Sequence, residues 1–74
     1  MPHVNIKLYP GRTEEQKQLL TQRVIEAIDE SFGVASKYVT VAFEEITPEE
    51  WHDVVVKPEL EDKKELLYKL PEYL

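Results

Sequence analysis

The sequence predicts an α+β fold built on a β-α-β unit with two parallel strands, followed by short C-terminal helices. Three observations predict it. His3 to Tyr9 alternates apolar and polar residues, as a half-buried strand does. A stretch opening at Thr13 carries apolar residues at helical spacing, and a second strand-like run covers about Lys37 to Ile46. The length between the two strands suits a right-handed crossover joining parallel neighbours.

The first strand places Val4, Ile6 and Leu8 on one face, and Pro10-Gly11 ends it as turn chemistry. Thr13 begins a capping box with Gln16, and Glu14 and Glu15 suit the positive end of the helix dipole. Leu20, Val24, Ala27, Ile28 and Phe32 define the expected apolar face of this helix, and Gly33 sits where a C-cap needs positive φ. In the second strand Val39, Val41 and Phe43 alternate with Tyr38, Thr40, Ala42 and Glu44. Thr47-Pro48-Glu49-Glu50 reads as another helix start, with Thr47 as cap, Pro48 in the first turn and Glu50 closing a second capping box. That helix is expected to be short, because Val54-Val55-Val56 resists helix and suits a small strand. A third helix is expected from Pro58 to about Leu70, supported by the i,i+4 pairs Glu59–Lys63 and Glu65–Lys69 and stopped by Pro71.

The 74 residues make a single domain spanning 1–74, with no linker or repeat. A chain of this size buries only about 60% of its unfolded surface, so its own core is marginal. It has no cysteine, hence neither a disulfide nor a thiolate metal site. Two strands alone make a poor sheet, so self-association that extends the sheet to four strands is expected. Such a homodimer is isologous, each copy offering the same surface. The formal charge of −6 and the scattered basic residues argue against a nucleic-acid partner. No apolar run exceeds three residues, which excludes a transmembrane helix and a signal-peptide core and makes a cytoplasmic protein the expectation.

Pro2 stands out among candidate residues. Aminopeptidases remove an initiator Met before a small residue, so a mature chain starting at Pro2 is expected. A free N-terminal proline is a secondary amine whose neutral nitrogen can act as a base. Read on position alone, Pro2 is better explained by a simple role in processing, or by keeping a strand end free of an unpaired N–H. Arg12, beside Gly11 at the mouth of the first turn, can hold a carboxylate or enolate oxygen by paired hydrogen bonds, or be a solvated loop arginine. Trp51 lies between charged residues, a costly place for an indole unless it covers a pocket or an interface. His3 and His52 are too isolated to suggest a metal site and read as surface or interface histidines.

Pro2, the His3–Leu8 strand, Gly11-Arg12, the Thr13-Glu14-Glu15-Gln16-Lys17 helix start and the second strand together resemble the 4-oxalocrotonate tautomerase family. Pro2-His3, Ile6-Lys7, Pro10 and Ile46-Thr47-Pro48-Glu49-Glu50-Trp51 further resemble its longer-tailed, dimeric, PptA-like branch. The resemblance implies a β-α-β protomer, two of which form a four-stranded sheet with helices on one side. It implies a homodimer, with a hexamer as the alternative, and a reaction needing no cofactor. Pro2 would be the catalytic base and Arg12 the catalytic residue that binds the substrate carboxylate and draws electron density along the conjugated system. Trp51 would line a hydrophobic substrate pocket. Thr40 takes the place where many members carry a substrate-binding arginine. That substitution weakens the case for a dicarboxylate such as 2-hydroxymuconate and favours an arylenolpyruvate, with Lys7 or Lys37 as conceivable sources of the missing charge. The expected activity is therefore keto–enol tautomerisation of a 2-oxo acid or its enol, an isomerase reaction. Two alternatives are a hydratase or dehalogenase of small unsaturated acids, and a catalytically silent dimerisation or binding module.

Overall fold

The computed structural model describes residues 1–72. Along the chain come β1 (His3–Leu8), α1 (Glu14–Phe32), a 3₁₀ turn (Ser36–Tyr38), β2 (Thr40–Glu45), α2 (Pro48–Trp51), a π-helical segment (His52–Glu61) and a second 3₁₀ turn (Lys64–Leu66). The two strands are parallel and paired in a register that runs from His3 opposite Thr40 to Leu8 opposite Glu45. Backbone hydrogen bonds close both ends of the ladder, Thr40 N–H to Pro2 O at 3.2 Å and Ile46 N–H to Leu8 O at 2.8 Å. β2 is shorter than its sequence suggests because β1 offers only six residues to pair with; Tyr38 and Val39 turn back onto the carbonyls of Ala35 and Ser36 instead.

α1 forms as its caps dictate. Gln16 N–H donates to Thr13 Oγ1 at 3.1 Å, and Thr13 N–H donates to Gln16 Oε1 at 3.0 Å. Gly33 closes the other end at φ 69°, a left-handed conformation that costs a residue with a Cβ, and its N–H reaches Asp29 O. Gly11 has φ 124°, which lets the chain reverse after β1. The half-buried stripe of α1 is Lys17, Thr21, Val24, Ile25 and Ile28, while Leu20, Ala27 and Phe32 are exposed. The packed face is thus rotated from the one expected. Lys17 belongs to it because its ammonium reaches Glu45 Oε2 at 3.1 Å, which ties the first turns of α1 to the end of β2.

The C-terminal part departs most from expectation. Val54-Val55-Val56 is neither a strand nor a helix break but lies inside the π-helical segment, and Pro58 sits within that segment instead of starting a helix. Proline lacks the N–H for an α-helical bond and its ring crowds the carbonyl four residues back. Wider turns relieve that clash, and the segment ends on such a turn, Asp62 N–H to Lys57 O at 3.0 Å. No helix continues to Leu70: Lys63 leaves helical geometry at φ −119°, ψ 33°, and only the short turn at Lys64–Leu66 follows. Of the two expected i,i+4 pairs, Lys63–Glu59 forms at 3.1 Å, and Glu65–Lys69 is not among the ion pairs of the described residues. The second capping box is also incomplete: Thr47 Oγ1–H donates to Glu50 Oε1 at 3.0 Å, side chain to side chain, leaving the backbone uncapped by it.

Val55 and Val56 are the buried apolar residues of the described chain, each 6% exposed. The inward residues of both strands are only half-buried, while Phe32 at 73% and Leu66 at 64% stand largely in solvent. A lone copy therefore leaves much of its apolar surface uncovered, as the size argument anticipates. Among the described residues no helix is long and apolar enough to cross a membrane.

Candidate active site

The sheet distributes the candidate residues between its two ends. At the end where both strands begin, Pro2 is half-buried and its carbonyl holds the first amide of β2. Met1 before it is 93% exposed, so nothing in the fold depends on its side chain. Thr40 faces His3 across the ladder, and its Oγ1 lies 2.6 Å from His3 Nδ1. One step further along the same face, Asn5 Nδ2 donates to Glu44 Oε1 at 2.6 Å. These bonds line the sheet face opposite α1.

At the far end, where both strands finish, stand Tyr9, Arg12 and Trp51. Trp51, the last residue of α2, is half-buried and meets the ring of Tyr9 edge-to-face, with centroids 5.0 Å apart and planes at 84°. Together with Lys7 and Leu8 these rings line an open, mostly apolar hollow. Arg12 is exposed, follows the left-handed Gly11, and borders a second hollow with Leu8, Gln16, Lys17, Leu20 and Phe43. Its guanidinium takes no part in the ion pairs or side-chain hydrogen bonds of the described residues, so an unneutralised cation faces solvent beside an apolar wall.

Six strand residues at about 3.3 Å each span roughly 17 Å from His3 to Leu8, and Arg12 lies beyond that. The fold thus brings Pro2 together with Thr40, and separates both from Arg12 and Trp51 within one copy. The two lysines considered as sources of charge near Thr40 are engaged elsewhere. Lys7 Nζ lies 3.6 Å from Glu59 Oε2, and Lys37 Nζ sits 5.1 Å over the ring of Tyr38. Two residues that sequence reasoning passed over belong to these clusters. His3 was legible only as an isolated histidine, because its partner lies 37 positions away and depends on the strand register. Tyr9 carried a weak signal, an aromatic closing a strand before Pro-Gly.

A family model described as tautomerase enzyme matches residues 2–60. The chain belongs to the tautomerase family. Over 74 residues it is 34% identical to tautomerase PptA of Pectobacterium atrosepticum, covering 99% of this chain and 97% of the relative. It is 41% identical over 46 residues to the 2-hydroxymuconate tautomerase of Bacillus subtilis, covering 62% of this chain and 74% of that one. A solved structure of YwhB, a homologue of 4-oxalocrotonate tautomerase, superimposes with a TM-score of 0.62 at 36% identity, covering 82% of this chain and 97% of that chain. The family resemblance and the β-α-β architecture expected from the sequence are both borne out.

Proposed function

We propose that this tautomerase interconverts the keto and enol forms of a 2-oxo acid, with an arylenolpyruvate favoured over a 2-hydroxymuconate-like dicarboxylate. The observation that carries the reading is the separation of Pro2 from an unpaired Arg12 at opposite ends of β1. Two copies joined isologously through a free sheet edge lie antiparallel, which sets the strand starts of one against the strand ends of the other. Each Pro2 then meets the Arg12 and Trp51 of its partner copy, and the incomplete core of the lone chain supplies the drive to associate.

In this reading Met1 is removed and the neutral Pro2 amine accepts the enol proton and returns a proton to carbon, serving as base and then as acid. The O–H bond breaks, a C–H bond forms and the double bond moves from C=C to C=O, so no electrons are gained or lost. Arg12 holds the carboxylate and stabilises the enolate-like charge as it develops. Trp51 and Tyr9 offer an apolar wall to an aromatic substituent. Thr40, uncharged and short, leaves room for that substituent but no second cation for a second carboxylate.

A second reading follows from Met1 itself. While Met1 is attached, the Pro2 nitrogen is an amide without useful basicity, and the chain is a silent dimerisation module. Ultraviolet-monitored ketonisation of phenylenolpyruvate decides between them. Protein with Pro2 verified as N-terminal is compared with protein carrying an uncleavable N-terminal extension. The expected loss on blocking the amine is about 10²–10⁴-fold, the usual range for a general acid–base. Equal high rates in both would remove Pro2 from the mechanism, and background rates in both would leave the silent module.

A further inference from the structure

We infer that His3 is a substrate-contacting residue of this site, and that Thr40 is the residue that positions it. His3 Nε2–H donates a hydrogen bond to the 2-oxygen of the oxo acid or its enol while Pro2 moves the proton. The inference rests on the tautomerase reading above and assigns the atom that faces the reacting oxygen.

Three contacts make a closed cluster at the start of the sheet. The Pro2 carbonyl accepts the Thr40 amide at 3.2 Å, Thr40 is the register partner of His3, and Thr40 Oγ1 lies 2.6 Å from His3 Nδ1. His3 follows Pro2 directly, so their Cα atoms are about 3.8 Å apart. The imidazole, held by Thr40, thus belongs to the residue next to the proposed base. The Thr40 hydroxyl can donate to Nδ1 or accept from it, and the proposed role uses the donating arrangement, in which the ring proton sits on Nε2. Among the described residues Nε2 has no hydrogen-bond partner, and the residue is exposed. In that arrangement an exposed donor without a partner is left on the residue next to the proposed base.

The other cations considered are either engaged or distant from this end of the sheet. Lys7 pairs with Glu59, Lys37 covers Tyr38, and Arg12 of the same copy lies at the other end of β1. With the partner's Arg12 on the carboxylate, the 2-oxygen still lacks a donor, and it is the atom on which charge develops as the enol loses its proton. His3 supplies that donor by a hydrogen bond alone and transfers no proton, so the balance of the reaction is unchanged.

The test joins imidazole ¹⁵N spectra with kinetics on protein whose N-terminus is Pro2. In the wild type and in Thr40→Ser the His3 ring is expected as the Nε2-protonated tautomer, and in Thr40→Val that preference is lost. Added phenylpyruvate should shift the His3 Nε2 resonance and leave His52 unmoved. For phenylenolpyruvate, kcat should fall about 10²-fold in His3→Phe, in the range found for loss of one oxyanion donor. It should fall about tenfold in Thr40→Val, recover in Thr40→Ser and stay unchanged in His52→Gln. Proline-dependent activity that is equally fast in folded His3→Phe would overturn the inference and leave the tautomerase reading standing. An inactive wild type whose His3 Nε2 still responds to phenylpyruvate would remove the tautomerase reading and retain His3 as a ligand contact. A His3 resonance indifferent to phenylpyruvate would overturn the contact in either case.

Discussion

The two ends of this small sheet are built from different chemistry. Where the strands begin, the contacts are short and polar: Pro2 to Thr40 through the backbone, Thr40 to His3 through side chains. Where they finish, the contacts are aromatic and the charge is unpaired: Trp51 edge-on to Tyr9, and Arg12 beside an apolar hollow. With Pro2 as the proposed base, one end would handle a proton but has no fixed cation for a carboxylate. The other can hold a carboxylate and an aromatic ring but has no base. On the proposed reading, the difference teaches that a chain of 74 residues can carry half of each of two sites that a second copy completes.

Substitutions can break this division of labour. Arg12→Ala should lower kcat/KM for phenylenolpyruvate about 10²–10³-fold, with a smaller loss on an enol that lacks a carboxylate. Mixing that variant with chains blocked at Pro2 sharpens the comparison. If the ends work in pairs, random reassociation restores one intact site per mixed dimer, roughly a quarter of wild-type activity; a mixture no better than its parts would place both residues in the same copy. Trp51→Ala should cost about tenfold on an arylenolpyruvate and less on an aliphatic enol, as steady-state kinetics on both would show. Thr13→Ala removes the cap next to Arg12 and should destabilise the fold by about 1 kcal/mol, read as a lower denaturant midpoint, without changing the His3–Thr40 bond.

The smallest effect concerns acid. Glu59 is held below its ordinary value of 4.5, first by its hydrogen bond to Lys63, then by the Lys63 charge, and then by Lys7. A carboxyl lowered in the folded state contributes stability above its ordinary value, and that contribution is lost as pH falls through the lowered one. Denaturant midpoints should therefore show an acid-side decline that is slightly smaller in Glu59→Gln. A decline of equal size in Glu59→Gln would show that this tie between the far end and the C-terminal segment contributes nothing to it.

How much of this was legible in the sequence depended on how local each cause is. The Thr13–Gln16 box and Gly33 act over three or four residues, and α1 begins and ends as they say. Pro2, Arg12 and Trp51 were legible as unusual residues in telling positions. Their separation was not, because it requires the parallel register of two strands, and neither was the His3–Thr40 bond, which needs the same register. Val54-Val55-Val56 misled through its strand propensity: β-branched residues favour a strand only when there is an edge to pair with, and here two of them supply the buried core. On α1, Ile25 and Phe32 are seven residues apart on one helix face, and Phe32 stands exposed as the last residue of the helix.

The hydrogen bond from Thr40 N–H to Pro2 O has a thermodynamic consequence for turnover. The first residues of a chain ordinarily fray, and ordering one backbone residue costs about 1–2 kcal/mol in conformational entropy. Here β2 imposes that order when the chain folds, before any substrate arrives. An amine at Pro2 would then meet each substrate already immobilised, and the entropy of fixing the base would fall on folding, once, instead of on every catalytic cycle.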